Sequence, residues 1–557
     1  MRARLVILIA SLLLVNACSE TNPPAAEPAP VGPEVGGNYV PQPVYCADGS
    51  ADLCAVIPSF IGADPAIDVL GYQGLSNDVS SAADDAQTPF DNMSWQMFVA
   101  LNWQASGGDP ASGLSGAGPT VWQGYARPED VFGGPTGVCP NPKDLPRFDI
   151  IAKSGGQGPR DEEFLQATGQ PLIDAAGNWT LFERRLNDVE RAYIQGHGLD
   201  TYAGQKTFVD AGGSVLFPPG DSTTTNGKVG AIEMKAAWRI VSEAEKDSYF
   251  HIHALIDVQG AYVRDGQPLC AEATLGLVGL HIIQANARQG KLDPKFIWSS
   301  FEHKENAPFA AKACDATDNN CYKTIANNLC PAAADAGDYS YSRNACSNVT
   351  TNAPPQMAKG DSAFIWERQP PYAGAYLSDS NGERCGTQVA HCWDVYSLTQ
   401  QLNSAWQAKL KAVDSVFANY YLIGTNWGGD IEPEPGKLDN NSVPAFLANA
   451  TLETYIQSDP VVGNCVGCHA FADLAYSETD PATDKKKSFS ANFSFLPGLA
   501  QQQSCADVDA GPILDNEQAQ QVCPHTCSAI EESWNGQWTT TQFGVMSVCG
   551  CCQATAP

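Results

Sequence analysis

The sequence predicts an α+β protein in which a large region rich in antiparallel sheet, with flanking helices, precedes a small disulfide-stapled module of one helix on a sheet. Residues 229–241 and 249–258 alternate apolar and polar side chains with a period of two, which is typical of half-buried strands. Residues 396–420 repeat apolar side chains every three or four positions, which indicates a helix. The six cysteines after position 500 indicate a separate stapled unit.

The remaining elements follow from shorter patterns. Two more strands are expected at residues 275–283 and 296–303, and a short aromatic helix at 95–103. The cysteine-dense stretch from Cys314 to Cys346 is expected to be a disulfide-pinned loop. No internal repeat is visible between residues 46 and 440, so we expect one large sheet-rich region there.

Length and charge restrict the function classes. At about 100–200 residues per domain, the 557 residues correspond to about two to four domains. The formal net charge is −30. This charge excludes nucleic acid and anionic membrane surfaces as expected partners, because proteins bind both through clustered Lys and Arg.

The N-terminus has the features of an export signal. Arg2 and Arg4 precede an apolar run from Leu5 to Val15 that is too short to span a bilayer. The run leads into Leu-Val-Asn-Ala and Cys18, which resembles the lipobox of bacterial lipoproteins and implies lipidation of Cys18. We therefore expect a signal peptide at 1–17 and a lipid-anchored protein of the cell envelope, in the outer membrane or periplasm. Plain secretion is the alternative.

The cysteine count supports an oxidising compartment and suggests domain boundaries. Of nineteen cysteines, one is assigned to the lipid and two to the motif described below, which leaves ten from Cys46 to Cys392 and six from Cys505 to Cys552. Both groups are even, as a disulfide framework requires. We expect a Pro-rich tether at 18–45, the large region at 46–440, a motif-bearing segment at 441–503 and the module at 504–557.

The motif is CxxCH, formed by Cys465, Cys468 and His469. Two cysteines about one helical turn apart can bond the two vinyl groups of a haem, and the adjacent histidine can serve as the axial iron ligand. We therefore predict one covalent haem c with His469 as the proximal ligand. The alternatives are a structural disulfide and half of a zinc site, and no second ligand pair at zinc spacing follows in the sequence.

The second axial ligand is expected from upstream. No Met or His lies between His469 and Cys505, so the haem segment should pack against the large region and its flanking helices. The candidates, in order of preference, are His281, Met234 and His303.

A resemblance supports treating these parts as one unit. The segments SWQMFVALNW, AIEMKAAWR, GLVGLHI, KFIWSSFEH, NCVGCHAFA and NFSFLPG are similar to bacterial cytochrome c family proteins over roughly residues 90 to 500. The resemblance implies haem binding, and no activity follows from it.

The last segment carries a second resemblance. AGPILDNEQAQQV and WNGQWTTTQFGVMSV resemble the mannan-binding module of a cyanobacterial lectin, which implies a short helix on a small antiparallel sheet and recognition of mannose-containing glycans. Leu514 departs from that family, in which a Trp often stands. The matching positions, which the resemblance implies as the sugar site, are Asp515, Asn516, Asn535, Gly536, Gln537, Trp538, Thr539 and Thr540.

The residues of this module also fit sugar binding by themselves, because an aromatic ring can cover a pyranose while amides and hydroxyls read its hydroxyl groups. We expect one of Trp534 and Trp538 in the core and the other in the site. Asp515 is expected to cap a helix, with Gln518 completing a capping box.

The spacing of the module's cysteines predicts disulfides between its helix and a strand. Cys523 and Cys527 lie about 6 Å apart along one helix face, close to the spacing of Cys549 and Cys551 along a strand. Cys505 would then pair with Cys552.

Three functions remain open from the sequence. The first is one-electron transfer by a c-type cytochrome that binds sugar through its C-terminal module and exchanges electrons with a partner protein. The second is a haem peroxidase or oxygenase acting at a polysaccharide surface. The third is a cell-surface lectin with a structural or sensory haem. We favour the first, because a single haem suits one-electron transfer and the sequence contains no catalytic triad or nucleotide-binding loop.

Overall fold

A computed structural model describes most of the chain after residue 82. The described residues are 57, 83–133, 137–151, 163–166, 168–219, 230–286, 295–315, 337–346, 348–359, 361, 363–374, 377–378, 384–428, 442–459, 461–480, 485–500, 505–530 and 532–553. The predicted signal peptide, Cys18 and the tether lie outside these residues, as does most of the predicted cysteine-dense loop. In the described part, no helix is long and apolar enough to cross a membrane.

The central element is an eight-stranded sheet. All its strand pairs are antiparallel except that of the first strand with the fourth. Its longest strand has 18 residues and pairs with three others, so it joins the two halves of the sheet. The strands are β1 (Arg147–Ile150), β2 (Leu181–Leu186), β3 (Ile232–Ile240), β4 (His251–Val258), β5 (Leu269–Asn286), β6 (Lys295–His303), β11 (Tyr420–Gly428) and β12 (Ser442–Val443).

The four strands predicted from the sequence are present as β3, β4, β5 and β6, but in β3 the expected exposed face is largely covered. In β3 the polar residues Glu233 and Arg239 are only 5% and 4% exposed. The alternation correctly identified strands, because side chains alternate between the two faces of a sheet. The prediction that β3 is only half-buried was wrong, because other parts of the chain pack on its polar face.

Two of the predicted helices have different bounds. The helix expected at 95–103 is the C-terminal half of α1 (Ala83–Leu101), which is buried on all sides from Phe90 onward and so lacks a polar stripe. The helix expected at 396–420 ends at Lys411, after which Asp414 has a left-handed backbone (φ 53°) and the chain enters β11. The described helices up to this point are α1, α2 (Pro110–Gly113), α3 (Pro128–Phe132), α4 (Asp188–Gly196), α5 (Tyr202–Asp210) and α6 (Ser397–Lys411).

The main hydrophobic core lies between the sheet and helices α1 and α6. Trp95 of α1 stacks on Trp406 of α6 with ring centroids 5.9 Å apart, and Phe98 stacks on Phe301 of β6 at 4.2 Å. All four side chains are fully buried. Burying a large apolar side chain contributes roughly 1.5–3 kcal/mol, so this contact fixes the helices on one face of the sheet.

The segment that carries the CxxCH motif packs on the opposite face. Val466 and Phe493 share a buried cluster with Ile283 of β5 and Trp298 of β6. Helix α7 (Cys465–His469) is followed by the hairpin of β13 (Asp473–Asp480) and β14 (Lys485–Ser490). Two small sheets complete this part, formed by the parallel pair β7 (Phe309–Asp315) and β10 (His391–Asp394) and by the pair β8 (Leu377–Ser378) and β9 (Arg384–Cys385).

The C-terminal residues form the predicted disulfide-stapled module of one helix on a sheet. Helix α8 (Asn516–Ser528) lies on a sheet of order β15-β17-β16, with β15 (Cys505–Gly511), β16 (Glu532–Gln542) and β17 (Met546–Gln553). The disulfides Cys523–Cys549 and Cys527–Cys551 join the helix to β17, as the cysteine spacing predicts. Cys552 is also disulfide-bonded and lies opposite Cys505 in the ladder.

Candidate functional site

Helix α7 is held in place by bonds to its first turn. The Asn464 side chain caps it by accepting a hydrogen bond from the Gly467 N–H (2.7 Å), and the Val466 N–H donates to Asn426 of β11 (3.0 Å). A Cβ on Gly467 would lie 2.2 Å from the Val461 carbonyl oxygen. Position 467 therefore requires glycine, because a side chain there would collide with a backbone carbonyl that cannot move without distorting the chain.

The two cysteines of α7 carry free thiols and line a cavity of about 430 Å³. Burial raises the pKa of the Cys468 thiol to about 11 and that of Cys465 well above its usual value. Every other cysteine whose side chain is described is disulfide-bonded. Cys465 and Cys468 therefore do not form the structural disulfide that was the alternative to haem attachment. Both residues line a cavity of the size that binds small molecules.

His469 is fixed in one tautomer. Its Nδ1 donates a hydrogen bond to the Phe493 carbonyl oxygen (2.6 Å), which leaves Nε2 unprotonated with its lone pair available. Burial lowers the pKa of His469 to about 4, so the ring is neutral at physiological pH. Phe493 itself has a left-handed backbone (φ 66°), a conformation that costs energy for a bulky residue and aims its carbonyl at the histidine.

Of the three candidates for a second axial ligand, His281 lines the cavity. It lies on β5, is 5% exposed, and its Nε2 makes no hydrogen bond to any described residue. Glu453 Oε2 lies 3.3 Å from this nitrogen. Burial alone would raise the pKa of Glu453, but His281, Lys235 and the Asn449 N–H outweigh it and lower this pKa.

The other two candidates do not line the cavity. Met234 is fully buried in the main core, on the face of β3 opposite to Glu233 and Lys235. The His303 Nε2 donates to the Ser248 carbonyl oxygen (2.9 Å), and the ring stacks on Tyr249. Burial lowers the pKa of His303 to about 4. The sequence could not separate these candidates, because strand direction determines which face each one reaches.

The cavity also contains charged residues that the sequence analysis did not assign to a site. Glu233 and Lys235 of β3 and Arg184 of β2 line one wall. Glu163 lies in another part of the lining, where burial raises its pKa to about 8 despite Arg127 at 2.8 Å. The only sequence signal for Glu233 and Lys235 was their place in the alternating strand, which predicted a solvent-facing position.

In the part of the chain that the structure describes, no three His, Cys, Asp or Glu side chains converge as they would around a bare metal ion. A zinc site of the usual four-ligand type would need such a group.

The C-terminal module brings the two sequence segments of the predicted sugar site together. The Trp538 indole N–H donates to the Asn516 side-chain oxygen (2.9 Å), which joins β16 to the first residue of α8. Between Trp534 and Trp538, three residues of β16 lie opposite one residue of β17, and Gly536 has a left-handed backbone (φ 89°). This bulge exposes Gly536 and Gln537 next to the helix start.

Residues 516–551 match the family described as mannan-binding protein. The C-terminal segment is thus similar to a mannan-binding lectin module. No curated protein and no solved structure matches the chain.

Within the lectin module, Asp515 has a structural role. It caps α8 by accepting a hydrogen bond from the Gln518 N–H (2.9 Å), as predicted. The Gln518 side chain accepts from the Leu514 N–H (2.9 Å) instead of from Asp515, so the reciprocal bond of the capping box is shifted by one residue. Leu514 is 58% exposed beside this cap.

The expected division of the two tryptophans into core and site differs from the structure. Both rings are half-buried and pack against the cysteine cluster, and the Trp534 indole N–H donates to the Gln537 carbonyl oxygen (2.7 Å) across the bulge. The two disulfides fill the interior that a tryptophan was expected to occupy. Thr539 and Thr540 continue β16 opposite Val548 and Ser547, and the side chain of Asn535 lies outside the described atoms.

Proposed function

We propose that the protein is an exported c-type cytochrome that transfers single electrons and binds mannose-containing glycans through its lectin module. The observation that carries the haem part is the presence in one cavity of two free thiols, a neutral His469 and, from the sheet, His281. The observation that carries the glycan part is the match of residues 516–551 to the mannan-binding family.

The residues present fit a covalent haem. Cys465 and Cys468 are the two thioether positions, and His469 offers an unprotonated Nε2 beside them. Lys235 and Arg184 on the cavity wall would supply positive charge for the carboxylates of a bound haem. A bound haem would supply a one-electron couple, and the packing of Trp298 and Phe495 around the His469 ring would limit access of water.

His281 decides between the two redox hypotheses. As a second axial ligand it would close the coordination sphere and favour electron transfer. Its contact with Glu453 at 3.3 Å supports a second candidate, a haem peroxidase or oxygenase, because a histidine held by a carboxylate can stay off the iron and move protons. We prefer electron transfer, because His281 lines the same cavity as Cys465, Cys468 and His469.

The haem proposal is tested by producing the full chain in a strain that matures c-type cytochromes. Wild type should retain haem after acid-acetone extraction, and Cys465→Ala with Cys468→Ala should lose it. A reduced visible spectrum that carbon monoxide leaves unchanged supports two protein ligands, whereas a clear shift supports the enzyme alternative. Wild type without covalent haem would refute the proposal.

The glycan proposal rests on the surface formed by the β16 bulge and the start of α8. Trp538 connects these two parts through Asn516, so its removal should separate them. Binding by one shallow module is expected to be weak, and many anchored copies on one surface would raise the avidity.

A glycan array with the full chain tests this part. Wild type should bind mannose-containing oligosaccharides, and Trp538→Ala should lose that binding. Ile530→Ala is the matched control, because Ile530 is 47% exposed beyond the far end of α8 and should leave binding unchanged. Failure of folded wild type to bind any mannose-containing glycan would refute the lectin function.

We further propose that Cys18 is lipidated and anchors the chain in the cell envelope, in the outer membrane or facing the periplasm. Metabolic labelling with palmitate should mark wild type and not Cys18→Ser. Label that persists on the serine variant would contradict the anchor.

A further inference from the structure

Two glutamates meet behind the cavity wall, and Glu190, the inner one, forms no ion pair with any described residue. Glu190 of α4 is fully buried, and neither of its carboxylate oxygens has a hydrogen-bond donor among the described residues. Glu233 of β3 is 5% exposed, lies beside it and lines the cavity. An unpaired buried charge costs several kcal/mol, so such a pair is stable only if protons or a cation neutralise it.

Hydrogen bonds of the Asn187 side chain hold the two glutamates close together. Asn187 caps α4 by accepting from the Glu190 N–H (3.0 Å), and the same side-chain oxygen accepts from the Ile232 N–H of β3 (3.1 Å). The Asn187 amide also donates to the Gly230 carbonyl oxygen (2.8 Å). One side chain therefore fixes the start of the helix against the start of the strand, and Glu190 is held beside Glu233.

The pair is connected to the segment that orients His469. The Ser494 hydroxyl donates to Glu233 Oε2 (2.9 Å) and accepts from the Leu496 N–H (3.2 Å), so its single proton is directed at Glu233. Ser494 directly follows Phe493, whose carbonyl holds the imidazole. Neither carboxylate oxygen of Glu190 lies in hydrogen-bonding geometry with a described residue, so a proton on Glu190 itself is the simplest way to remove its charge.

We propose that Glu190 and Glu233 form a proton-storage site for the redox centre, in which Glu190 keeps its proton and Glu233, at the cavity wall, exchanges one. This inference rests on the proposed haem. When an external donor adds one electron, the cavity becomes more negative by one charge, and Glu233 takes up one proton from solvent. When the electron leaves, that proton returns to solvent, so charge and protons balance.

The charged groups around the pair support a retained proton on Glu190 and an exchangeable proton on Glu233. Burial and the neighbouring Glu233 raise the pKa of Glu190 well above its usual value. Burial raises the pKa of Glu233 to about 7, against the opposing effects of Ser494, Arg184 and Lys235. The other charged residues at the start of α4, Asp188 and Arg191, pair with each other at the surface (2.8 Å). The pKa of Glu233 at about 7 suits proton exchange near neutral pH, whereas burial and the neighbouring Glu233 favour a retained proton on Glu190.

The first test measures the midpoint potential of the full-length haem protein against pH. Between pH 6 and 8 the potential of wild type should fall with a slope approaching about 59 mV per unit, the value for one proton per electron. Glu233→Gln should remove most of this slope. Glu129→Gln is the matched control, because Glu129 lines the same cavity but pairs with Arg127 (2.7 Å) and should keep the slope.

The second test does not need haem. Infrared spectra of the full chain at pH 7 should contain carbonyl bands of protonated carboxyl groups that shift in D₂O, and Glu190→Gln should remove one band, distinct from the band that Glu163→Gln removes. A wild-type potential that is independent of pH, or a wild type without the band, overturns the inference even if the glutamine variants do not fold. Absence of covalent haem would instead refute the proposed function, and the infrared band would still decide whether the pair holds its proton.

Discussion

The lectin module offers a direct test of what stabilises it. Replacing Cys523 and Cys549 by alanine removes one bridge between α8 and β17. Both sulfurs are fully buried, so alanine is preferred to serine, which would leave a buried hydroxyl without a partner. The second bridge, Cys527–Cys551, remains in this variant.

The expected loss follows from the size of the closed loop. The two cysteines are 26 positions apart, but the remaining bridge between Cys527 and Cys551 already closes most of that loop. The extra loop has only about 8 residues, which corresponds to about 2.5 kcal/mol of unfolded-state entropy. Residues 505–553 as a unit should have a free energy of unfolding of only about 2.5–7 kcal/mol. Loss of one bridge should therefore remove about a third or more of the stability of the module, while the large region stays folded.

Hydrogen–deuterium exchange of the full chain measures this effect locally. Peptides from α8 should exchange up to about 60-fold faster in the double variant, because each 1.4 kcal/mol is a factor of ten. Cys346→Ala with Cys385→Ala is the control, since that bridge lies in the large region and should leave α8 unchanged. A change of less than about threefold in α8, the size of a neutral surface substitution, would refute the reasoning.

Three further predictions concern the large region. Gly467→Ala should reduce haem attachment and destabilise α7 by about 1–3 kcal/mol, because its Cβ would strike a carbonyl, whereas Gly196→Ala in α4 meets nothing within 4 Å and should be neutral or stabilising in thermal unfolding. His281→Ala should change the visible spectrum of the reduced protein, and His303→Ala should not; the opposite result would exclude His281 as a ligand. Burial raises the pKa of Asp91 from 3.8 to about 6, so the folded state binds this proton more tightly than the unfolded state. Stability from Asp91 is therefore present below about pH 4 and is lost as pH rises to 6, by about 3 kcal/mol. Urea unfolding of Asp91→Asn should lack this component, and an unchanged pH profile would contradict it.

Local patterns predicted local structure well. Alternation with a period of two located β3 and β4, and cysteine spacing predicted which elements of the lectin module are bridged. These predictions succeed because they depend on the geometry of one helix or one strand, which a short sequence window contains. The helix expected at 396–420 ends at Lys411, because the residues from Tyr420 onward pair with β6 as a strand. That pairing partner lies far away in the sequence, so the local pattern could not reveal it.

The burial of polar side chains was not predictable in this way. The alternation in β3 correctly places Glu233 and Lys235 on one face and Met234 on the other, but it says nothing about what covers each face. The polar face became a cavity wall because the segment around α7 and helix α4 fold over it from more than forty residues away in the sequence. The same packing excluded Met234 from the cavity and placed His281 in it.

The sequence by itself determined the chemistry that this protein carries: the CxxCH motif, the cysteines available for bridges and the segment similar to a mannan-binding module. Each of these is a pattern of neighbouring residues. Only the tertiary structure decided which distant groups meet them, namely His281 beside the thiols, Glu190 behind Glu233, and Asn516 bound to Trp538. The physical reason is that such contacts depend on strand register and on which face another element covers, and both are set by the packing of the whole chain.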